Sequence, residues 1–294
     1  MASTEGGGDA RVLALSEAHL AGCLALSKSA NWNQNEADWR LMLSIGRGWG
    51  VADPERKGML AASTLVLPYG SFAWVSMVLV LPQYRSQGLA TRLLRCALGD
   101  LNSRAQTAIL DATPAGHPVY ASEGFRDTWG FRRYKWTDAS RRKPAAMPGV
   151  TIRPVGDGDW AAILRLDARA FGASRASVLR DLARRRPQLA MLAQSGREVA
   201  GFALGREGRE AVQIGPVVAQ DARTATALLE AALARVEPPV YVDLVDRDEA
   251  LQAWLGARGF EFQRPFTRMV HGAPGVCAPG EPSLVFCPAG PELG

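Results

Sequence analysis

The sequence predicts an α/β protein built from two similar halves in tandem. Three observations carry this reading. A valine-rich apolar run of strand length, Phe72 to Leu81, stops at Pro82 and gives way to helical spacing of Leu89, Leu93, Leu94 and Leu98. The order of elements across residues 10–138 recurs across 150–271. Each half also carries a strand-end aspartate followed by a later Gly-Phe pair, Asp111…Gly124-Phe125 and Asp243…Gly259-Phe260, the mark of an internal duplication.

In the first half, residues 11–15 read as a strand and Ser16 as the cap of a helix with Leu20, Cys23 and Leu24 on one face. Asn31-Trp32-Asn33-Gln34 breaks that pattern, and Gln34 or Asn35 caps a second helix that Gly46-Arg47-Gly48 ends. Strands at 48–52 and 59–67 follow, the latter joined to 72–81 through Pro68-Tyr69-Gly70-Ser71, turn chemistry that fits an antiparallel hairpin. A helix over about 86–103, a buried strand at 107–110, a loop and short helix leading to Tyr120, and a strand at about 128–136 complete the half. The second half reads as a strand at 150–154, helices to Ala170 and over 177–185, and strands at 188–193, 199–205 and 211–218. A helix at 223–236, a strand at 240–244, a helix to about Ala257 and a strand near 266–271 close it.

The stretch Arg85-Ser86-Gln87-Gly88-Leu89-Ala90 lies where the strand ending at Pro82 passes into the helix. A turn of this kind directs unpaired backbone N–H groups and the positive end of a helix dipole at one point, which suits a phosphate or pyrophosphate. Gly88 permits close approach of the backbone. With Val80 and Pro82 in register before it, the stretch resembles the acyl-CoA loop of the Gcn5-related N-acetyltransferase (GNAT) superfamily, Arg/Gln-x-x-Gly-x-Gly/Ala. The order of elements is also the one GNAT domains use, and the resemblance covers almost the whole chain.

That resemblance implies two GNAT-like domains, each a mixed, mostly antiparallel sheet flanked by helices. It implies acetyl-CoA as the cofactor, held by Arg85, Ser86, Gln87, Gly88, Leu89, Ala90 and Thr91 and by the backbone of Val78, Leu79 and Val80 in the gap between splayed strands. Tyr120, four residues before Gly124-Phe125, stands like the family's tyrosine that protonates the departing thiolate, or else packs under the sheet. The general base is less marked. The strand 72–81 carries no acid, leaving Asp111, Glu36, Asp38, His117 or a water relay. Trp32 and Asn33, in the loop that borders the acceptor site in this family, and Trp74, whose strand face is expected to carry Val78 and Val80, are candidate substrate contacts through cation–π attraction.

Composition is ordinary for a globular protein, with 47% apolar and 21% charged residues. The net charge of +5 disperses when divided: residues 1–138 carry 14 basic and 12 acidic side chains, residues 149–294 carry 17 of each, and Arg141-Arg142-Lys143 supplies the rest. No half offers a concentrated basic face, which argues against nucleic acid as a partner. No apolar run reaches the ~18 residues of a membrane span, and no secretory signal pattern opens the chain, so the expected location is cytoplasmic. Four cysteines and three histidines build no metal constellation; Cys23 and Cys96 read as core residues, and a Cys277–Cys287 disulfide is left open.

The expected organisation is a disordered lead (1–9), a catalytic domain (10–138), a linker (139–149), a degenerate domain (150–271) and a tail (272–294) with a strand at 283–286. In the second half the loop position holds Val218-Ala219-Gln220-Asp221, with no glycine and a like charge toward a pyrophosphate, and Leu255 stands where Tyr120 would be. The expected activity is acetyl transfer to a primary amine, of a small molecule, by direct attack. The alternatives are a protein lysine acetyltransferase or a non-catalytic acyl-CoA sensor. A monomer or weak homodimer is expected.

Overall fold

The computed structural model describes residues 11–137, 150–196, 198–273 and 275–294; the anticipated lead and linker, with Arg141-Arg142-Lys143, lie outside the described residues. The first half runs β1 (Val12–Ala14), α1 (Leu20–Ser29), α2 (Glu36–Ile45), β2 (Arg47–Ala52), β3 (Leu60–Tyr69), β4 (Phe72–Val80), α3 (Leu89–Ser103), β5 (Thr107–Ala112), α4 (His117–Ser122) and β6 (Phe125–Trp136). The second repeats it as β7 (Thr151–Pro154), α5 (Trp160–Phe171), α6 (Ala176–Arg185), β8 (Met191–Ser195), β9 (Glu198–Arg206), β10 (Val212–Ala219), α7 (Ala222–Leu233), β11 (Val240–Val245), α8 (Glu249–Gly256) and β12 (Phe260–His271), with β13 (Val285–Cys287) beyond. Asn35, of the two cap candidates, caps α2: its Oδ1 accepts the Asp38 amide at 3.1 Å and its own amide donates to the Asp38 carboxylate at 3.0 Å. No helix among the described residues is long and apolar enough to cross a membrane.

The two domains do not keep separate sheets. Strand β6 never pairs with β5 of its own half; β12 lies between them, antiparallel to both, while β6 lies between β12 and β11. Each domain therefore receives a strand from the other. The sheet is continuous in the order β1-β2-β3-β4-β5-β12-β6-β11-β10-β9-β8-β7, with β13 added on β10. Without the lent strands β5 and β11 would each present an open edge on that side; the exchange satisfies those backbone groups.

Ion pairs mark the exchange. Arg133 of β6 stands directly opposite Asp243 of β11 and binds it through two hydrogen bonds of 2.7 Å. Arg268 of β12 stands opposite Asp111 of β5 and binds it at 2.9 and 3.0 Å. The strand-end aspartate of each half thus holds an arginine on the strand lent by the other. All four side chains are buried.

Strand β4 bulges at Met77, a non-glycine residue at φ +52°, whose carbonyl accepts the Ser63 hydroxyl at 2.7 Å; the register with β3 shifts there. The bulge corrects the expected strand face. Phe72 and Trp74 share their core with Met77 and Leu79, whereas Val78 packs with Ala73 and Val75. One extra residue breaks the period of two, so counting from Trp74 assigns Val78 and Val80 to the wrong side. All four cysteines are free thiols, which settles the Cys277–Cys287 question.

The Arg133–Asp243 pair yields a stability prediction. Arg133→Met leaves a buried carboxylate unpaired and is expected to cost about 3–5 kcal/mol in equilibrium urea unfolding. The double variant Arg133→Met, Asp243→Leu should recover most of that loss.

Candidate active site

The strand-to-helix turn after β4 has the geometry expected of an anion cradle. Gly88 sits in the left-handed region at φ +75°, and a Cβ placed there meets no atom within 4 Å, so the position opens outward. That left-handed residue starts α3 at Leu89, three residues later than periodicity alone suggests. The first helical bond is Arg92 N–H to Gly88 O at 2.9 Å, which leaves the amides of Leu89, Ala90 and Thr91 ahead of it without helical acceptors. Gly88 offers no side-chain cap. Beside the turn a shallow surface depression is lined by Gly88, Thr91, Arg92, Arg95 and Cys96. These groups fit the pyrophosphate end of an acyl-CoA.

From this cradle the edge of β4 leads inward. Strands β4 and β5 pair in parallel only from Phe72/Thr107 to Trp74/Ile109 and then part. Beyond the split lies a narrow cleft lined by Val75, Ser76, Met77 and Val78 of β4, Asp111 and Thr113, and Tyr120 of α4. Its remaining walls are Trp32 and Gln34, Arg133, Arg264 and Phe266, and Pro291 and Glu292. Tyr120 is buried against Phe125, and Gly116 leaves room for its ring, since a Cβ there would lie 2.8 Å from it. Burial pushes the Tyr120 phenol well above its ordinary range, so it stays protonated at neutral pH and keeps a proton to give.

The other residues singled out in the sequence have varied surroundings. Trp32 lines the cleft. Asn33, one position on, is spent on structure: its Oδ1 accepts the amides of Glu210 and Ala211 at 2.9 and 3.0 Å, and its Nδ2 donates to the Ala211 carbonyl at 3.0 Å. Trp74 is buried, and the cation it holds is the protein's own. The Arg268 guanidinium lies 4.4 Å from its ring centroid and 4.1 Å from that of Trp129.

The base candidates are already paired. Asp111 is bound to Arg268; burial pushes its carboxyl upward while Arg268 pulls it back. Asp38 is buried between Arg185 at 2.7 Å and Arg206 at 2.8 Å. Glu36 pairs with Arg40, and His117 with Asp127.

One carboxylate of the cleft escaped the sequence reading, Glu292, and it arrives from the far end of the chain. After β13 the segment 288–294 crosses onto the first domain. Trp74 Nε1 donates to the Pro291 carbonyl at 2.9 Å and the Tyr69 hydroxyl to that of Leu293 at 3.1 Å. From the second domain, Arg175 holds the Gly294 carbonyl, and Arg206 holds the Ala289 carbonyl and one oxygen of Glu292. The sequence reading of the tail went no further than the strand at 283–286, because nothing local ties Glu292 to cleft residues as far back as Trp32 and Gln34.

The corresponding places in the second domain are filled. Asp221 caps α7, its carboxylate accepting the Thr224 amide at 2.7 Å, so the helix end that would meet a phosphate is satisfied by a side chain of the same sign as phosphate. Strands β10 and β11 pair from Val212/Val240 to Ile214/Val242 and part as β4 and β5 do. The opening holds β13, antiparallel to β10 with Val217 opposite Cys287 and Val218 opposite Val285.

Comparison with known proteins agrees with this geometry. Family models described as "Acetyltransferase (GNAT) domain" match residues 63–135 and 163–281. The uncharacterised N-acetyltransferase YitH of Bacillus subtilis is 22% identical over 251 residues, 85% of this chain and 87% of its own length. A crystal structure of a putative acetyltransferase from Pyrococcus horikoshii superposes with a TM-score of 0.77 at 18% identity, covering 100% of this chain and 99% of that one. A tandem GNAT protein from the clavulanic acid biosynthesis pathway gives a TM-score of 0.66 at 17% identity, covering 90% of this chain and 99% of its own. With two such domains in one chain and a cleft of this design in the first, the protein is a tandem member of the GNAT N-acetyltransferase superfamily.

Proposed function

We propose that the first domain transfers the acetyl group of acetyl-CoA to the primary amine of a small molecule by direct attack, and that the second domain binds no CoA and walls the acceptor side. The observation that carries this reading is the continuity of three features. A free helix N-terminus at Gly88–Thr91, an unpaired β4 edge and a protonated Tyr120 lie along one path that ends in the cleft. Amides at the helix start, with Arg85, Ser86 and Gln87 before them, hold the pyrophosphate. The backbone of Val78, Leu79 and Val80 pairs with the pantetheine amides in the manner of an added strand. The acetyl carbonyl then lies near the bulge at Met77, where β4 backbone N–H groups polarise it, and Tyr120 protonates the leaving thiolate.

A small acceptor is favoured over a protein lysine by the enclosure of the cleft. Trp32, Gln34, Pro291 and Glu292 line it together with β4, so the first half and the closing segment surround the same space. Asp243 and Asp111, engaged with arginines, are assigned a structural role.

Calorimetric titration with acetyl-CoA is expected to give one site per chain; a second site would refute the assignment of the second domain. Gly88→Leu should weaken acetyl-CoA binding more than ~10-fold, yet lose only about 1–2 kcal/mol of stability from its left-handed conformation. Tyr120→Phe should lower kcat by ~10²-fold or more while the acetyl-CoA Kd stays within about a factor of three. Unchanged turnover in that variant would leave water as the acid, whereas acetyl-CoA binding with no turnover in the parent would move the protein to the acyl-CoA sensors. The phenol should also add no alkaline limb to the pH–rate profile below about pH 10.

A further inference from the structure

Four of the buried polar atoms that lack a hydrogen-bond partner among the described residues belong to residues that line the same cleft: Gln34 Oε1, Ser76 Oγ, Arg264 Nε and Glu292 Oε2. Buried polar groups are ordinarily satisfied, and a cluster of orphans around one space describes the ligand that would satisfy them. Three can accept a proton from a bound group, and the fourth is a cationic donor.

Glu292 is the most constrained of the four. Its side chain is 2% exposed, and one oxygen is held by Arg206, which is itself buried and also bound to Asp38 and the Ala289 carbonyl. The second oxygen is left over. Arg264 differs from the other arginines of this region: Arg133 has Asp243, Arg268 has Asp111 and Arg206 has Asp38, whereas Arg264 has no hydrogen-bond or ion-pair partner among the described residues. Its guanidinium lies over Phe266, a ring that also lines the cleft.

We propose that Glu292 is the base that takes the proton of the acceptor ammonium, and that the acceptor is a small primary amine carrying a carboxylate, which Arg264 binds. This rests on the acetyl-transfer reading above and specifies its acceptor. Gln34 Oε1 and Ser76 Oγ accept the remaining ammonium hydrogens and orient the nitrogen toward the acetyl carbon. The ammonium gives one proton to Glu292, which passes it to solvent. The nitrogen lone pair then attacks the thioester carbonyl, and the C–S bond breaks as the C–N bond forms. Tyr120 protonates the thiolate, and the second proton shed by the nitrogen replaces the one Tyr120 gave. The products are an N-acetyl amino acid-like amide, free CoA and one proton.

The charged groups facing Glu292 are Arg206 on β9, Arg133 on β6, Asp38 on α2 and Arg264 on β12. Burial pushes its carboxyl above the ordinary range and Asp38 adds to that, while Arg206, Arg133 and the backbone amide of Glu292 itself pull it back. A raised carboxyl is a better proton acceptor from an amine than an ordinary one.

The test is thiol release from acetyl-CoA by the intact protein with matched amines: α- and β-amino acids, their decarboxylated counterparts, and a lysine-bearing protein. Amines with a carboxylate should be acetylated at least ~10-fold more efficiently in kcat/KM than those without. Arg264→Gln should erase that preference through KM. Glu292→Gln, which retains a carbonyl oxygen for Arg206, should lower kcat by ~10²–10⁴-fold, keep acetyl-CoA binding by calorimetry, and remove an acidic inflection of kcat/KM that lies above ~4.3 in the parent. Equal or faster acetylation of the decarboxylated amines, or a Glu292→Gln profile like the parent's, overturns this proposal and leaves acetyl transfer standing. A protein that binds acetyl-CoA and acetylates none of these amines overturns both.

Discussion

The crossed pairing of two aspartates with two arginines is the constraint on which the rest depends. Asp111 and Asp243 close the fifth strand of their respective halves, and each holds an arginine on the strand that the other half lends. An unpaired charge at either site would face desolvation of several kcal/mol, so the domains cannot separate without exposing or orphaning these groups. The exchange makes one sheet from two. It also brings Arg133, Arg264 and Phe266 into the wall of a cleft whose floor belongs to the first domain.

The second domain carries structural features at the positions where the first is open. Where the first domain has an uncapped helix start and an open strand edge, the second has Asp221 as a cap and β13 in the gap. Strand addition satisfies the same backbone groups that a pantetheine arm would. The chain that emerges from that gap is thereby aimed across the interface, and four donors, Trp74, Tyr69, Arg175 and Arg206, fix its path. The filled gap of one domain thus positions Glu292 in the cleft of the other.

Much of the turn before α3 and the placement of Tyr120 were legible in residue order because these features are local. A left-handed glycine, a helix start and a strand end lie within a dozen positions, and Tyr120 sits at a fixed spacing from Gly124. Trp74 was legible as buried aromatic surface but not in its task, because the cation over its ring comes from Arg268, far along the chain. The face of β4 was misjudged at Met77 because a bulge leaves no clear mark in hydrophobic alternation.

The sequence by itself determined two duplicated α/β domains, which of them keeps a glycine-led, uncapped helix start, and the spacing of Tyr120 before Gly124. Periodicity and short-range turn chemistry encode all of these. Only the tertiary structure decided that the domains exchange strands, that Asp111 serves an arginine, and that the cleft beside β4 receives Arg264 and Phe266 from β12 and Glu292 from the closing segment. Those facts depend on pairings such as Trp74 with Pro291, 217 positions apart, which no local periodicity or turn chemistry encodes.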